Sequence, residues 1–256
     1  LTEVIANIVH DNGQSTATGN GIFLDNNVSG ITIRDNKTFA NAGQGILLSR
    51  GSNGNTVTGN ESYQNSDGIA VNDSDNNVIQ GNRAHKNRNG IRVSGSIDNP
   101  ASGNLIVGNT VEDSASAAGS AYGIYLYSHA DSNELRNNTV LRSATFGIYI
   151  KSGANRLLGN VVREGKTGIA IVGEAESIGQ IPLIAPPGSN NVVLSSTISA
   201  NTDIGLRIEG GVGNSIGLDP VNSARAGNVI DGNGGNGVVI KSTVAGFGST
   251  NNVLIA

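Results

Sequence analysis

The chain of 256 residues has no cysteine, methionine or tryptophan, and only 4% of its residues are aromatic. Without thiols it cannot form a disulfide scaffold, a thiolate metal centre or a cysteine nucleophile. The lack of cysteine does not indicate the cellular compartment. Charged residues make up 14%, the net charge is −4 and no basic run occurs. We therefore expect no nucleic-acid partner. There is also no stretch of 18 apolar residues, so we expect no membrane span.

Turn-forming residues are present in excess, with 37 Gly and 35 Asn. Both residue types tolerate the left-handed backbone conformation that tight corners require. Apolar residues reach 37% and recur at regular spacing, which excludes a disordered chain. The composition predicts a packed, β-rich protein with many corners.

Two phrases repeat along the whole chain. A glycine followed by an aliphatic residue recurs at intervals of 21 to 37 residues, at Gly21, Gly45, Gly68, Gly90, Gly123, Gly147, Gly168, Gly205 and Gly237. Between these lies the phrase Asn-x-aliphatic-x-x-Asn, as at 55–60 and 77–82. Because aliphatic residues alternate within each short strand, as in 68–72, one strand face is buried. The pattern predicts an all-β, right-handed parallel β-helix of about ten coils of roughly 22 residues.

Stacked coils place identical repeat positions above one another, about 4.8 Å apart. The Asn side chains should therefore form ladders between coils. Five insertions interrupt the repeat, at 95–103, 113–121, 173–189, 219–227 and 243–250, and such loops often serve a binding face. No domain boundary is visible, so residues 1–256 are predicted to form one β-helix domain. Both ends look uncapped, which predicts flanking coils in a longer chain or end-to-end self-association.

In each strand that begins with the repeated glycine, the second and fourth residues after the glycine should point outward. Because the coils stack, these side chains should form two columns on the outer face. Rings and cations collect in the middle of this face, and the candidates for substrate binding are Arg50, Arg92, Tyr122, Tyr125, Tyr149 and Arg207. Rings stack on pyranose faces and arginine pairs with carboxylates, so the expected partner is an anionic polysaccharide. Alternatively, these residues simply suit an exposed strand.

Chemistry on a uronate requires removal of the proton beside a carboxylate, hence a neutralising cation, a base and an acid. Tyr127, His129 and Lys151 are the candidates on this face, and His129 is the strongest acid–base group. A hydrolase would need two carboxylates at a defined separation. The outward columns offer only Asp25 and Glu209, many coils apart, which disfavours hydrolysis.

Two further groups could suggest a metal site. His10, Phe39, Tyr63 and His85 share one repeat position, which predicts a ladder of stacked rings rather than a metal centre. Asp73, Asp75 and Asn76 could offer oxygen atoms to calcium. Since the Gly-Gly-x-Gly-x-Asp calcium repeat is absent, a solvated turn is favoured and no cofactor is expected.

Residues 45–55, 66–69 and 88–93 resemble the parallel β-helix repeats of bacterial mannuronan (alginate) epimerases, most closely the periplasmic type. The repeat is shared with copper-pathway periplasmic β-helix proteins, polysaccharide lyases and adhesins. The resemblance implies a secreted, periplasmic or cell-surface protein that acts on uronate polymers by epimerisation or β-elimination. Asp25 resembles a second acidic residue of the secreted epimerases, which adds it to the catalytic candidates. The catalytic Asp-Pro-His motif of these epimerases is absent from the sequence, because its only Asp-Pro, Asp219-Pro220, is followed by Val221.

Two functions remain open from the sequence. One is a β-helix that binds or modifies an anionic polysaccharide. The other is a non-catalytic structural or adhesive solenoid of a surface protein.

Overall fold

The computed structural model describes residues 2–14, 19–117, 119–173, 188–242 and 248–255. All strands of three or more residues in these ranges belong to three parallel sheets, and the chain visits sheets 1, 2 and 3 in turn before it starts the next coil. The predicted parallel β-helix is therefore confirmed. No helix that could cross a membrane occurs in these ranges.

Each sheet contains one strand from every coil. Sheet 1 consists of β1 (Thr2–Ile5), β4 (Ile31–Arg34), β7 (Thr56–Thr58), β10 (Val78–Gln80), β13 (Leu105–Val107), β16 (Glu134–Arg136), β19 (Arg156–Leu158), β22 (Val192–Leu194), β25 (Ser215–Ile216) and β28 (Val253–Leu254). Sheet 2 consists of β2 (Ile8–His10), β5 (Lys37–Phe39), β8 (Glu61–Tyr63), β11 (Arg83–His85), β14 (Thr110–Glu112), β17 (Thr139–Leu141), β20 (Val161–Arg163), β23 (Thr197–Ser199) and β26 (Val229–Asp231). Sheet 3 consists of β3 (Ile22–Asp25), β6 (Ile46–Ser49), β9 (Asp67–Asn72), β12 (Asn89–Ser94), β15 (Tyr122–Tyr127), β18 (Phe146–Ile150), β21 (Thr167–Val172), β24 (Leu206–Glu209) and β27 (Val238–Lys241).

The core runs along the axis of the helix and is aliphatic. Strand β12 shows why: Ile91 and Val93 point inward and are fully buried, whereas Arg92 and Ser94 point outward and are half-buried. This is the two-residue alternation of a strand. Burial of each such aliphatic side chain contributes about 1.5–3 kcal/mol, so a column of them holds the coils together.

The predicted Asn ladders occupy the corners between the sheets. Asn109, between sheets 1 and 2, shows the pattern: its Oδ1 accepts hydrogen bonds from the backbone N–H and the Nδ2 of Asn82, at 2.9 and 3.0 Å. Its own Nδ2 donates to the carbonyl of Ile79 at 2.8 Å and to Oδ1 of Asn138 at 3.0 Å. Each amide thus satisfies corner backbone that would otherwise be buried without a partner. The same corner carries Asn36, Asn60, Asn82, Asn109, Asn138 and Asn160.

The repeated glycine that opens sheet 3 is explained by close packing. A Cβ on Gly123 would lie 2.4 Å from the carbonyl oxygen of Gly147 and 2.3 Å from Cγ1 of Val140. A Cβ on Gly147 would lie 2.7 Å from the carbonyl oxygen of Gly168. Any side chain here would therefore collide with the next coil.

We expect Gly123→Ala to lower the free energy of unfolding by about 1–3 kcal/mol, the range for overpacking a rigid site. Gly237→Ala is the matched control, because it holds the same repeat position and its Cβ would find its nearest neighbour at 3.7 Å. Urea unfolding of both variants measures the difference. Equal effects would show that the glycine column is not required for packing.

The described insertions are anchored to the helix. In 219–227, the carboxylate of Asp219 accepts a hydrogen bond from Nη2 of Arg156 at 2.9 Å and one from the N–H of Val221 at 3.0 Å. Most of the insertion at 173–189, with Pro182, Pro186 and Pro187, lies outside the described residues, as does most of 243–250.

This anchor predicts an acid-dependent stability. The hydrogen bonds from Arg156 and from the N–H of Val221 lower the pKa of Asp219. The ionised carboxylate of Asp219 stabilises the fold above the pKa of an aspartate in the unfolded chain, about 4. This stabilisation is lost as the pH falls through the lower pKa of Asp219 in the folded state. We expect Asp219→Asn to lose less stability than the parent between pH 6 and pH 3 in urea titrations. Asp98→Asn, at an exposed carboxylate in 95–103, should retain the parental slope.

Candidate functional site

The outward face of sheet 3 brings together residues that are far apart in sequence. In the strand register Arg92 is opposite Tyr125, and Tyr125 is opposite Tyr149. Ser94 is likewise opposite Tyr127. Neighbouring coils lie about 4.8 Å apart, so these side chains form one continuous surface.

Five half-buried rings form an aromatic platform on this face, made of Tyr122, Tyr125, Tyr127, Phe146 and Tyr149. The ring centroid of Tyr125 lies 4.4 Å from that of Tyr122, 5.3 Å from that of Tyr127 and 5.5 Å from that of Tyr149. Phe146 lies 4.7 Å from Tyr149. Sequence reasoning missed Phe146, although it precedes Gly147 just as Tyr122 precedes Gly123.

Tyr125 is surrounded by three other rings of the platform. Burial, with the neighbouring tyrosines, raises the pKa of Tyr125 far above its usual value. Its hydroxyl therefore stays protonated at physiological pH, so Tyr125 can pack against a ligand but cannot act as a base.

Arg92 is held in place by a buried carboxylate. Its Nε donates to Oδ2 of Asp67 at 2.8 Å, and its Nη1 donates to Oδ1 of Asn72 at 2.9 Å and to Oγ of Ser94 at 2.8 Å. Asp67 is 2% exposed and also accepts a bond from Asn89 at 2.7 Å. The guanidinium is thus fixed at the edge of the platform, and its charge is balanced. Sequence reasoning missed Asp67, which stands immediately before Gly68.

The other predicted arginines are also paired with carboxylates and lie away from the platform. Nε of Arg50 donates to Oδ1 of Asp25 at 2.6 Å, and this bond lowers the pKa of Asp25, which makes it a weaker base. Strand β3 is four strands from β15, about 19 Å, so Asp25 is not brought to Tyr127. Arg207 pairs with Glu209 two coils beyond Tyr149.

Three catalytic candidates collect at the carboxyl ends of the platform strands. Nζ of Lys151 lies 5.6 Å from the ring centroid of Tyr127, within reach of a cation–π interaction. His129 follows Tyr127 by two residues, in a left-handed conformation with φ of 50°, and its carbonyl accepts a bond from the N–H of Ala101 at 3.0 Å. His129 thus lies in the corner that directly follows β15, two residues after Tyr127.

The predicted ring ladder on sheet 2 is confirmed. The rings of His10, Phe39, Tyr63 and His85 stack with successive centroid distances of 4.6, 4.9 and 4.9 Å. Because two rings separate the histidines, His10 and His85 lie three coils apart, about 14 Å. They cannot share a metal ion.

The acidic turn at 73–76 is used by the fold. Oδ1 of Asp75 accepts a hydrogen bond from the N–H of Ser102 at 2.7 Å. Within the described ranges, no three His, Cys, Asp or Glu side chains are grouped so that they could hold a metal ion.

With this geometry in view, comparison with known proteins gives the family. The profile described as "Periplasmic copper-binding protein (NosD)" matches residues 2–119 and 101–218. The chain belongs to this NosD family. No curated protein matches it significantly in sequence.

Solved structures share the fold of this NosD-family chain at low identity. The A-module of mannuronan C-5 epimerase AlgE4 from Azotobacter vinelandii is 16% identical, with a TM-score of 0.71, over 99% of this chain and 64% of that one. The periplasmic alginate epimerase AlgG is 16% identical, with a TM-score of 0.61, over 97% and 55%. The catalytic domain of a GH87 α-1,3-glucanase, in complex with tetrasaccharides, is 14% identical, with a TM-score of 0.59, over 100% and 58%. The chain thus spans less than two thirds of each of these structures.

The family description implies copper, but the residues of this chain do not fit a copper centre. Copper in proteins is bound by thiolate, thioether and imidazole groups. The chain has no Cys or Met and only three His. His10 and His85 are separated within the ring ladder, and His129 follows a strand of a different sheet. We therefore propose no reaction that involves copper.

Proposed function

We propose that this NosD-family chain binds an acidic polysaccharide along the aromatic platform of sheet 3. The observation that carries the proposal is the group of five rings spread over two coils, with Arg92 fixed at one edge and Lys151 at another. Rings of this kind pack on the faces of sugars, and the two cations can pair with carboxylates. Among the described residues, Nε and Nη1 of Arg92 donate to Asp67, Asn72 and Ser94, so Nη2 is the donor that this guanidinium can offer to a ligand.

The comparisons support this proposal at a coarse level. Two of the similar structures are named as epimerases of mannuronan or alginate, and a third holds tetrasaccharides, although all are 16% identical or less. The family description and the periplasmic epimerase also support a periplasmic, secreted or cell-surface location.

The chemistry that fits the site is proton transfer at the carbon beside a uronate carboxylate. In epimerisation that C–H bond breaks and a proton returns on the opposite face. In β-elimination the electron pair instead forms a C=C bond and expels the glycosidic oxygen at the next carbon. Lys151 or Arg92 would neutralise the carboxylate, and Tyr127 and His129 would exchange the proton. Asp25 has no role in this scheme because four coils separate it from Tyr127.

The proposal is tested by proton NMR of polymannuronate incubated with the chain. Broadened polymer signals support binding, and new guluronate or unsaturated signals add epimerisation or elimination. The carboxyl-reduced, neutral polymer is the matched control, and we expect it to bind more weakly. Polymannuronate signals that neither broaden nor change would contradict the proposal.

A second function, a non-catalytic adhesive solenoid, is favoured by one observation. Each of the outward arginines Arg50, Arg92 and Arg207 is balanced by a carboxylate, which reduces the attraction of this face for a polyanion. Equal binding of the neutral and acidic polymers, or of neither, would favour this function.

A further inference from the structure

A polar recess lies beside the platform, at the corner between sheets 2 and 3. It is a shallow, open hollow of about 440 Å³ that is lined by Arg142, Ser143, Ala144, Glu164, Gly165, Lys166, Thr202 and Asp203. We call it the corner recess. Its shape follows from corner length: the corner at 164–166 has three residues, whereas its neighbours at 142–145 and 200–205 have four and six. A short corner between two longer ones leaves an open hollow.

The polar groups of the corner recess differ in how they are engaged. Nε of Arg142 donates to Asp113 at 2.7 Å, and its Nη2 donates to Glu112 at 3.2 Å, so this guanidinium is committed to the fold. By contrast, the side chains of Lys166 and Asp203 form no hydrogen bond or ion pair with another side chain in the described part of the chain. Glu164 also lines the recess, and its carboxylate is paired with Arg142 at 3.7 Å and with Arg163 at 3.5 Å. The ammonium of Lys166 and the carboxylate of Asp203 thus line one hollow that lacks large apolar side chains. Such a lining suits a ligand rich in hydroxyl groups.

The corner recess lies near one end of the platform. Ala144 lines the recess, and Phe146, two residues later, belongs to the platform. In sheet 3, strand β21 follows the platform strand β18. Its outward side chains, Ala170 and Val172, are 0% and 2% exposed. A polymer that leaves the platform past Tyr149 therefore finds no accessible outward side chain on that strand. Among the described residues of this coil, Lys166 is an exposed polar side chain, and it lines the corner recess.

We infer that the corner recess is a second saccharide subsite, which takes a sugar unit of the same acidic polymer that the platform binds. Lys166 donates to a carboxylate or hydroxyl of that unit, and Asp203 accepts from a hydroxyl. The inference rests on the proposed function, since it extends the platform rather than replacing it.

Calorimetric titration with mannuronate oligomers of increasing length tests the subsite. In the parent chain, the affinity should increase once an oligomer is long enough to extend from the platform past Phe146 into the corner recess. Lys166→Ala and Asp203→Ala should each weaken the binding of long oligomers by roughly tenfold, the loss of one hydrogen bond to a charged group. Binding of short oligomers should not change. Arg88→Ala is the matched control, because Arg88 ends the three-residue corner at 86–88, outside the recess.

The outcomes separate the subsite from the platform. If long oligomers bind no better than short ones, or if both variants bind long oligomers as the parent does, the subsite is wrong and the platform stands. If no oligomer of any length binds, the proposed function fails and the subsite fails with it.

Discussion

Replacement of Asn109 by alanine should lower the free energy of unfolding by about 3–4 kcal/mol, because it removes a fully buried amide that makes four hydrogen bonds. The truncation leaves the N–H of Asn82 and the carbonyl of Ile79 buried without these partners. It also separates Asn82 from Asn138, so the ladder is broken in the middle rather than at an end.

Urea unfolding at neutral pH measures this loss. Asn99→Ala is the matched control, because Asn99 is exposed in the 95–103 insertion and its side chain belongs to no ladder. It should change stability by less than about 0.5 kcal/mol. A loss at Asn109 as small as that at Asn99 would mean that the ladder is not a main source of stability.

The fold was predictable because, in a stacked solenoid, a repeat in sequence is also a repeat in space. Arg92, Tyr125 and Tyr149 illustrate this, since they occupy one column although insertions make their spacing uneven. The strands on either side of the described insertions at 95–103 and 113–121 keep the register of the neighbouring coils. The phrase that begins with glycine therefore located the strands of sheet 3 in every coil.

The electrostatics of the site were not predictable in the same way. Alternation tells which side chains point outward, but not which of them meet across coils. Arg92 was expected to face a ligand, whereas its Nε is bound to Asp67, 25 residues earlier. Arg50 is likewise bound to Asp25. These pairings depend on side-chain rotamers and on the residue before each glycine, and the repeat pattern specifies neither.

The corner recess was also outside the reach of the sequence pattern. It depends on the relative lengths of three successive corners, at 142–145, 164–166 and 200–205. Corner lengths can be given only after the strand ends are known to within one residue, and strand ends are what periodicity determines least well.

Tyr149→Ala should weaken polymannuronate binding by roughly thirtyfold, about 2 kcal/mol, the typical effect of truncating an aromatic residue that dominates a binding surface. The ring of Tyr149 lies 5.0 Å from that of Tyr122 and 4.7 Å from that of Phe146, so it completes the platform at its far end. Calorimetric titration with one defined polymer gives the affinity. Urea unfolding of the same samples gives the structural cost, which we expect to be about 1 kcal/mol.

Two variants separate ligand contact from packing. Tyr149→Phe keeps the ring and should bind within about threefold of the parent, since the hydroxyl contributes at most one hydrogen bond. Tyr63→Ala removes a ring of the same kind from the ladder on sheet 2, and we expect it to leave the affinity unchanged although it loses two stacking contacts. If Tyr63→Ala weakened binding as much as Tyr149→Ala, the effect would come from general loss of packing. If Tyr149→Ala left the affinity unchanged, the polymer would bind elsewhere, because a ligand lying on the platform must contact this ring.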